Sequence, residues 1–224
     1  MYIFYDLEVA YYAATGACRS RALWEIGAVA EDGRCFTKRD LKDAGQEAEK
    51  DAVRAFLQWV CDVSRSTLAE RGREAVSPAQ VVLVAHNGSN HDHHLLLAAV
   101  ERHGLVIPDF TLGDSMVAIR RNLPSGLENA QLPETLVPHY SGDMVRGRPT
   151  KKLMHHGDVD SVFLAAVVMR WDVRGWREAL GKYCTSVQRY WDSLGDQFER
   201  WFSHKKEQFS HEFEVGSLSV SDTF

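Results

Sequence analysis

No run of this sequence is apolar for long enough to cross a bilayer; the longest, such as Phe163 to Met169, fall far short of the ~20 residues a spanning helix needs. Cysteine is sparse. Cys18, Cys35, Cys61 and Cys184 are the four present, and none forms a Cys-x-x-Cys pair. That spacing excludes a zinc ribbon or a dithiol redox site and predicts free, buried thiols in a reducing compartment. Positive charge is also short: 26 Lys and Arg against 31 Asp and Glu leave a formal net charge of -5. A broadly basic face that coats nucleic acid is therefore excluded, and any nucleic-acid contact must be local. Met1-Tyr2-Ile3-Phe4 lacks the basic start of a targeting segment, so the expectation is a soluble intracellular protein without membrane contact. What is present is 45% hydrophobic and 25% charged residues, enough for a globular core.

The patterning predicts elements in a definite order. Met1 to Leu7 reads as a buried strand, and Leu23 to Glu31 and Arg34 to Lys38 as two strands joined at the Asp32-Gly33 hairpin signal. Between Glu47 and Val63 the apolar residues recur at helical spacing. Val81 to Ala85 is a continuous apolar run, typical of a strand covered on both faces. His91 to His103 reads as a helix ended by Gly104, Phe110 to Leu112 as a short strand, Asp114 to Asn122 as a short helix, and Asp158 to Asp172 as a largely buried helix. Residues 123–149 hold most of the prolines and predict loops with at most one short helix around Gln131 to Val137. Early strands followed by alternating strands and helices predict an α/β fold, a ribonuclease H-like mixed sheet of about five strands flanked by helices. Residues 1–180 would form this domain, 181–203 a C-terminal amphipathic helical extension, and 204–224 a flexible tail. The aromatic stripe of the extension predicts a surface packed back on the domain, or else a homodimer or protein-partner interface.

Three short motifs carry chemistry. Asp6-Leu7-Glu8 ends the first strand, and alternation puts both carboxylates on one face, where they repel each other unless a cation is shared. Alone, such a pair is commonly just solvated. His86-Asn87-Gly88-Ser89-Asn90-His91-Asp92 follows the buried strand and opens a helix; Asn90 or Asp92 could equally serve as a helix cap. His155-His156-Gly157-Asp158-Val159-Asp160 enters the buried helix, where Asp158 suits the helix dipole and Asp160 precedes an apolar run. His86, His93 and His94 raise a zinc reading, but His93 and His94 are adjacent on a helix and should diverge.

Taken together, Asp6-x-Glu8, His86-Asn-Gly-x-x-x-Asp92 and His155-x-Gly-x-x-Asp160 resemble the three motifs of the DEDDh 3′-to-5′ exonucleases, the group of proofreading subunits, ribonuclease T and the three-prime repair exonucleases. Trp24-Glu-Ile-Gly-Ala-Val is similar to that group's second-strand signature, and Asp114-Ser115-Met116 to its short helix before the last motif. The resemblance covers roughly residues 2–172. It implies two Mg²⁺ or Mn²⁺ ions held by Asp6, Glu8, Asp92 and Asp160, with Asp6 bridging, and His155 as general base. It also implies a nucleic-acid substrate with a free 3′ end, met by Asn87, by Val9 beside the terminal nucleotide, and by Arg146, Arg148, Lys151 and Lys152 on phosphates. Val9 departs from the threonine usual there, His91 from an aromatic residue and Gly157 from alanine. A lapsed homologue that binds RNA or a protein, and an endonuclease of the ribonuclease H type, are the competing expectations.

Overall fold

The computed structural model describes residues 1–11, 21–41, 45–70, 81–122, 136, 156–171 and 175–194. Its frame is one mixed sheet of six strands in the order β3-β2-β1-β4-β5-β6. The strands are β1 (Tyr2–Tyr11), β2 (Arg21–Ala30), β3 (Cys35–Lys38), β4 (Val82–Ala85), β5 (Thr111–Asp114) and β6 (Cys184–Ser186). β1 runs antiparallel to β2 and parallel to β4, β4 is parallel to β5, and the outer strands β3 and β6 are antiparallel to their neighbours. The α/β class and mixed sheet expected from the patterning are present, with one strand more than the five anticipated.

Alternation along β1 sorts its residues between two cores. Ile3, Tyr5 and Leu7 lie in the first, with buried residues of α1 (Gly45–Glu70) and α2 (Asp92–Arg102). Phe4 lies in the second, with α3 (Ser115–Arg121), α4 (Gly157–Trp171) and α5 (Trp176–Gly181). Asp6 and Glu8 continue the Phe4 side and so face α4. The sheet is thus covered on both faces, and β4, central and buried, is almost purely aliphatic.

Turn chemistry behaves as the sequence predicts. Gly33 has a φ of 92° in the β2–β3 hairpin. Gly104 has a φ of 59° at the end of α2, where its N–H donates to the Glu101 carbonyl and Leu105 N–H to that of Val100. These paired bonds close the helix in the Schellman manner. α1 runs seven residues past the expected Val63 because tertiary contacts hold its polar last turns: Arg34 of the hairpin donates to the Val63 carbonyl and to the Ser66 and Thr67 hydroxyls.

The helix expected over 181–203 needs correction. Cys184–Ser186 is instead edge strand β6, paired with Thr111 to Gly113, and a helical segment, α6, follows at 187–194. A three-residue strand has too short a period to be read, whereas the apolar stripe from Val187 onward is readable. Val187, Tyr190 and Leu194 are buried in the first core, so the described part of the stripe packs back onto the sheet domain. Residues 195–224, and with them the expected tail and partner-facing aromatics, lie outside the described residues, as do 123–149 except Leu136, which is buried in the second core. Cys35, Cys61 and Cys184 are free, as expected, but Cys35 is exposed and the other two only half-buried. Among the described residues no helix is long and apolar enough to cross a membrane.

Candidate metal centre

β1 is longer than β4, and this mismatch makes the site. Their pairing ends at Phe4↔Val84, so the far end of β1 has a free edge facing the start of α2. There the Leu7 N–H donates to Asp92 Oδ1 at 3.0 Å. Asp92 is buried, 3% exposed, and serves no cap: α2 begins with no side-chain cap bond at His91. The alternative of a capping Asn90 is not realised either, since its amide nitrogen donates to Asn87 Oδ1 at 2.8 Å.

On the α4 side, Asp6, Glu8 and Asp160 each offer a carboxylate oxygen, and these atoms all lie within 4.8 Å of one another. Strand alternation supplies the first two, and the first turn of α4, which starts with Asp160 N–H donating to the His156 carbonyl at 2.9 Å, supplies the third. Such crowding disfavours ionisation. The Asp6 carboxyl is held well above its usual range by burial and then by the charges of Asp92, Glu8, Asp160 and Glu25. Oxygen donors without sulfur or nitrogen suit a hard divalent cation, and a shared cation would relieve the repulsion; the donor set fits Mg²⁺ or Mn²⁺.

The approach of α4 depends on two glycines. A Cβ at Gly27 of β2 would lie 1.9 Å from the Gly157 carbonyl carbon, and one at Gly157 would lie 2.9 Å from the Asp6 carbonyl oxygen and 2.9 Å from Gly27 N. The departure at Gly157 from the alanine of the resembled motif therefore has a physical reason here: the helix start is pressed onto the β1–β2 backbone. Gly27→Ala should force α4 off the sheet, costing on the order of 3 kcal/mol. Thermal melting should show a midpoint lowered by roughly 6–12 °C; an unchanged midpoint would mean that the close approach does not exist in solution.

The second motif is braced from behind. Tyr5, between Phe4 and Asp6, has its hydroxyl 2.6 Å from His93 Nδ1. Tyr190 of α6 donates to the Ser89 carbonyl at 2.9 Å and lies 3.1 Å from His94 Nδ1. Asp114 Oδ2 accepts from Ser89 N–H at 3.0 Å while its Oδ1 caps α3. Burial lowers the pKa of both histidines, that of His94 to about 4 with help from His93 and His91, so both rings are neutral near pH 7. Each serves a different tyrosine, and they diverge as adjacent helix residues should, which removes the basis of the zinc reading. Asn87 adopts a left-handed φ of 62° at the turn that leads to Asp92.

Not every expected residue converges. Val9 follows the alternation to the opposite face and packs against the first core, so its side chain is outside the acidic cluster. His155, Arg146, Arg148, Lys151 and Lys152 lie outside the described residues. Sequence reasoning missed Glu25. It is directly across from Glu8 on β2, 2% exposed, and takes bonds from Arg39 Nε at 3.2 Å and Asp158 N–H at 3.4 Å. His156 Nδ1 lies 3.4 Å from its other oxygen. A lone carboxylate within the apolar run Leu23 to Ala30 was the available signal. Asp158 does more than complement the helix dipole: both its oxygens lie 2.5 Å from Arg39, and although burial works the other way, that guanidinium holds its carboxyl below the usual range. No protein-family model and no characterised protein matches this chain.

Proposed function

We propose that this chain is a metal-dependent 3′-to-5′ exonuclease that hydrolyses phosphodiester bonds of DNA or RNA and releases nucleoside 5′-monophosphates. The observation that carries the reading is the convergence of Asp6, Glu8 and Asp160 within 4.8 Å from elements more than 150 residues apart in the chain. The resemblance of the motifs around them to the DEDDh exonucleases supports it. Asp6, Glu8 and Asp160 would hold the ions, and Asp92, at the start of α2 beside the free edge of β1, would complete the set. Two such ions, when bound, activate the attacking water and stabilise the departing 3′ oxygen.

The remaining work falls to this chain's own groups. His155 takes the proton from the attacking water, a task suited to an imidazole near neutral pH. Asn87, at the turn beside the site, contacts the terminal nucleotide. Arg146, Arg148, Lys151 and Lys152 neutralise phosphates as the strand approaches an otherwise acidic surface.

The direct test is incubation with 3′-labelled and 5′-labelled DNA and RNA oligonucleotides in Mg²⁺, Mn²⁺ or EDTA. Labelled mononucleotide should leave the 3′ end at the earliest times, a blocked 3′ terminus should protect the strand, and EDTA should stop the reaction. Internal fragments from a circular single strand would instead indicate endonuclease action, and full activity in EDTA would remove the metal from the mechanism.

A further inference from the structure

We propose that Glu25 is a positioning residue for the metal centre: its buried carboxylate ties down the entrance of α4 and thereby sets where Asp160 meets Asp6 and Glu8. The proposal rests on the metal-centre reading above. Glu25 occupies a strand position at which an apolar or amide side chain would be cheaper, because it is buried directly across from Glu8 and close enough to Asp6 to raise that carboxyl. What it gains is attachment. One oxygen accepts from the Asp158 N–H at 3.4 Å and from Arg39 Nε at 3.2 Å, and the other lies 3.4 Å from His156 Nδ1. Arg39, just beyond β3, in turn grips both oxygens of Asp158.

These attachments bracket the turn that delivers the third metal carboxylate. His156 begins it and its carbonyl accepts the Asp160 N–H at 2.9 Å; Asp158 lies between the two. Two residues along β2, Gly27 presses against Gly157, so the same strand supplies both the close contact and the polar anchor for one helix start. A small tilt there moves Asp160 relative to the two carboxylates on β1. Groups that orient metal ligands without touching the metal characteristically change affinity by about 10–100-fold when lost.

The test is Mn²⁺ binding to the full chain, read by titration calorimetry and by the electron spin resonance of free Mn²⁺, with thermal melting as a check on folding. Glu25→Ala should weaken Mn²⁺ binding by roughly 10–100-fold. Glu25→Gln keeps an acceptor for the Asp158 N–H and a partner for His156, and should stay within about threefold of the unaltered chain, the rescue that positioning predicts. Equal losses in the two variants would mean that Glu25 acts only through its charge and would overturn the proposal; so would unaltered affinity in Glu25→Ala. If Glu25→Ala does not fold, Glu25→Asp keeps the charge but withdraws it from α4, and should weaken binding by about tenfold, with no change counting against positioning. Absence of Mn²⁺ binding by the unaltered chain would overturn the metal-centre reading itself, a result distinct from binding that is indifferent to Glu25.

Discussion

Asp6→Asn is expected to abolish cleavage and, in the same protein, to raise the melting temperature measured without metal. The ionisation of Asp6 is opposed by burial and then by the charges of Asp92, Glu8, Asp160 and Glu25. Losing it removes a ligand of the proposed metal centre, so cleavage should fall by at least ~10³-fold, the scale on which loss of a strong electrostatic group at a reacting centre is felt. In the metal-free protein the same carboxylate is a liability. Its folded-state pKa lies above the unfolded value of about 4, so between those two values the folded chain holds a proton that the unfolded chain has released. Stability from this source is complete below the unfolded pKa and is lost as pH rises through the folded one. The metal-free protein should thus melt lower at pH 8 than at pH 5 as far as this group decides, and Asp6→Asn should flatten that slope. A gain of a few degrees is the scale, since ~1 kcal/mol moves the midpoint of a chain this size by about 2–4 °C. Added Mg²⁺ should raise the melting point of the unaltered protein but not of the variant. A variant that melts lower than the parent in EDTA would show that Asp6 is a structural residue, not a restrained metal ligand.

The parts of the fold and of this site visible in the sequence are those governed by short-range patterns. Asp6-x-Glu8 is readable because two residues span one full strand period, and Gly33 and Gly104 because only a left-handed turn or cap calls for glycine at those places. Asp92 and Asp160 are readable only as members of spaced motifs; the sequence alone leaves a capping role open for Asp92, and it is the Leu7 N–H, at the point where β1 outruns β4, that removes this alternative. Glu25 stands out in sequence only as a lone carboxylate in an apolar run; its role is tertiary, since nothing in Trp24-Glu25-Ile26 announces that the strand across carries Glu8 or that an N–H 133 residues later will need an acceptor. The register slip between Glu8 and Val9 is equally silent in sequence. One residue of β2 is skipped between the Glu8↔Glu25 and Val9↔Leu23 pairs, leaving Trp24 as the extra residue of a bulge beside the acidic cluster. Val9 illustrates the converse. The resemblance implied a place for it beside the terminal nucleotide, whereas the odd-numbered residues of β1 belong to the other core.

His155→Ala should reduce kcat by about 10²–10⁴-fold with Mn²⁺ binding retained, while His156→Ala should leave most of the chemical rate. The spacing His155-x-Gly-x-x-Asp160 puts His155 where the resembled family draws its general base. The structure adds a reason to set His156 apart: its Nδ1 is directed at the buried Glu25 and its carbonyl starts the turn to Asp160, so it belongs to the scaffold of α4. Its loss should therefore be felt in metal affinity more than in kcat, and the loss of His155 in kcat more than in metal affinity. That crossed pattern is what separates a base from an anchor, because a general damage to the loop would lower both quantities in both variants. The pH–rate profile sharpens the distinction. An imidazole base must be neutral to act, so the rate should fall as falling pH protonates it, and His155→Ala should lose that acid limb while His156→Ala keeps it. If the losses are exchanged, the base is His156, its bond to Glu25 becomes the orienting contact of the catalytic group, and the motif register shifts by one residue. If neither variant affects kcat while Asp6→Asn does, the centre hydrolyses without a histidine base, and the reading narrows to a metal nuclease outside the DEDDh pattern.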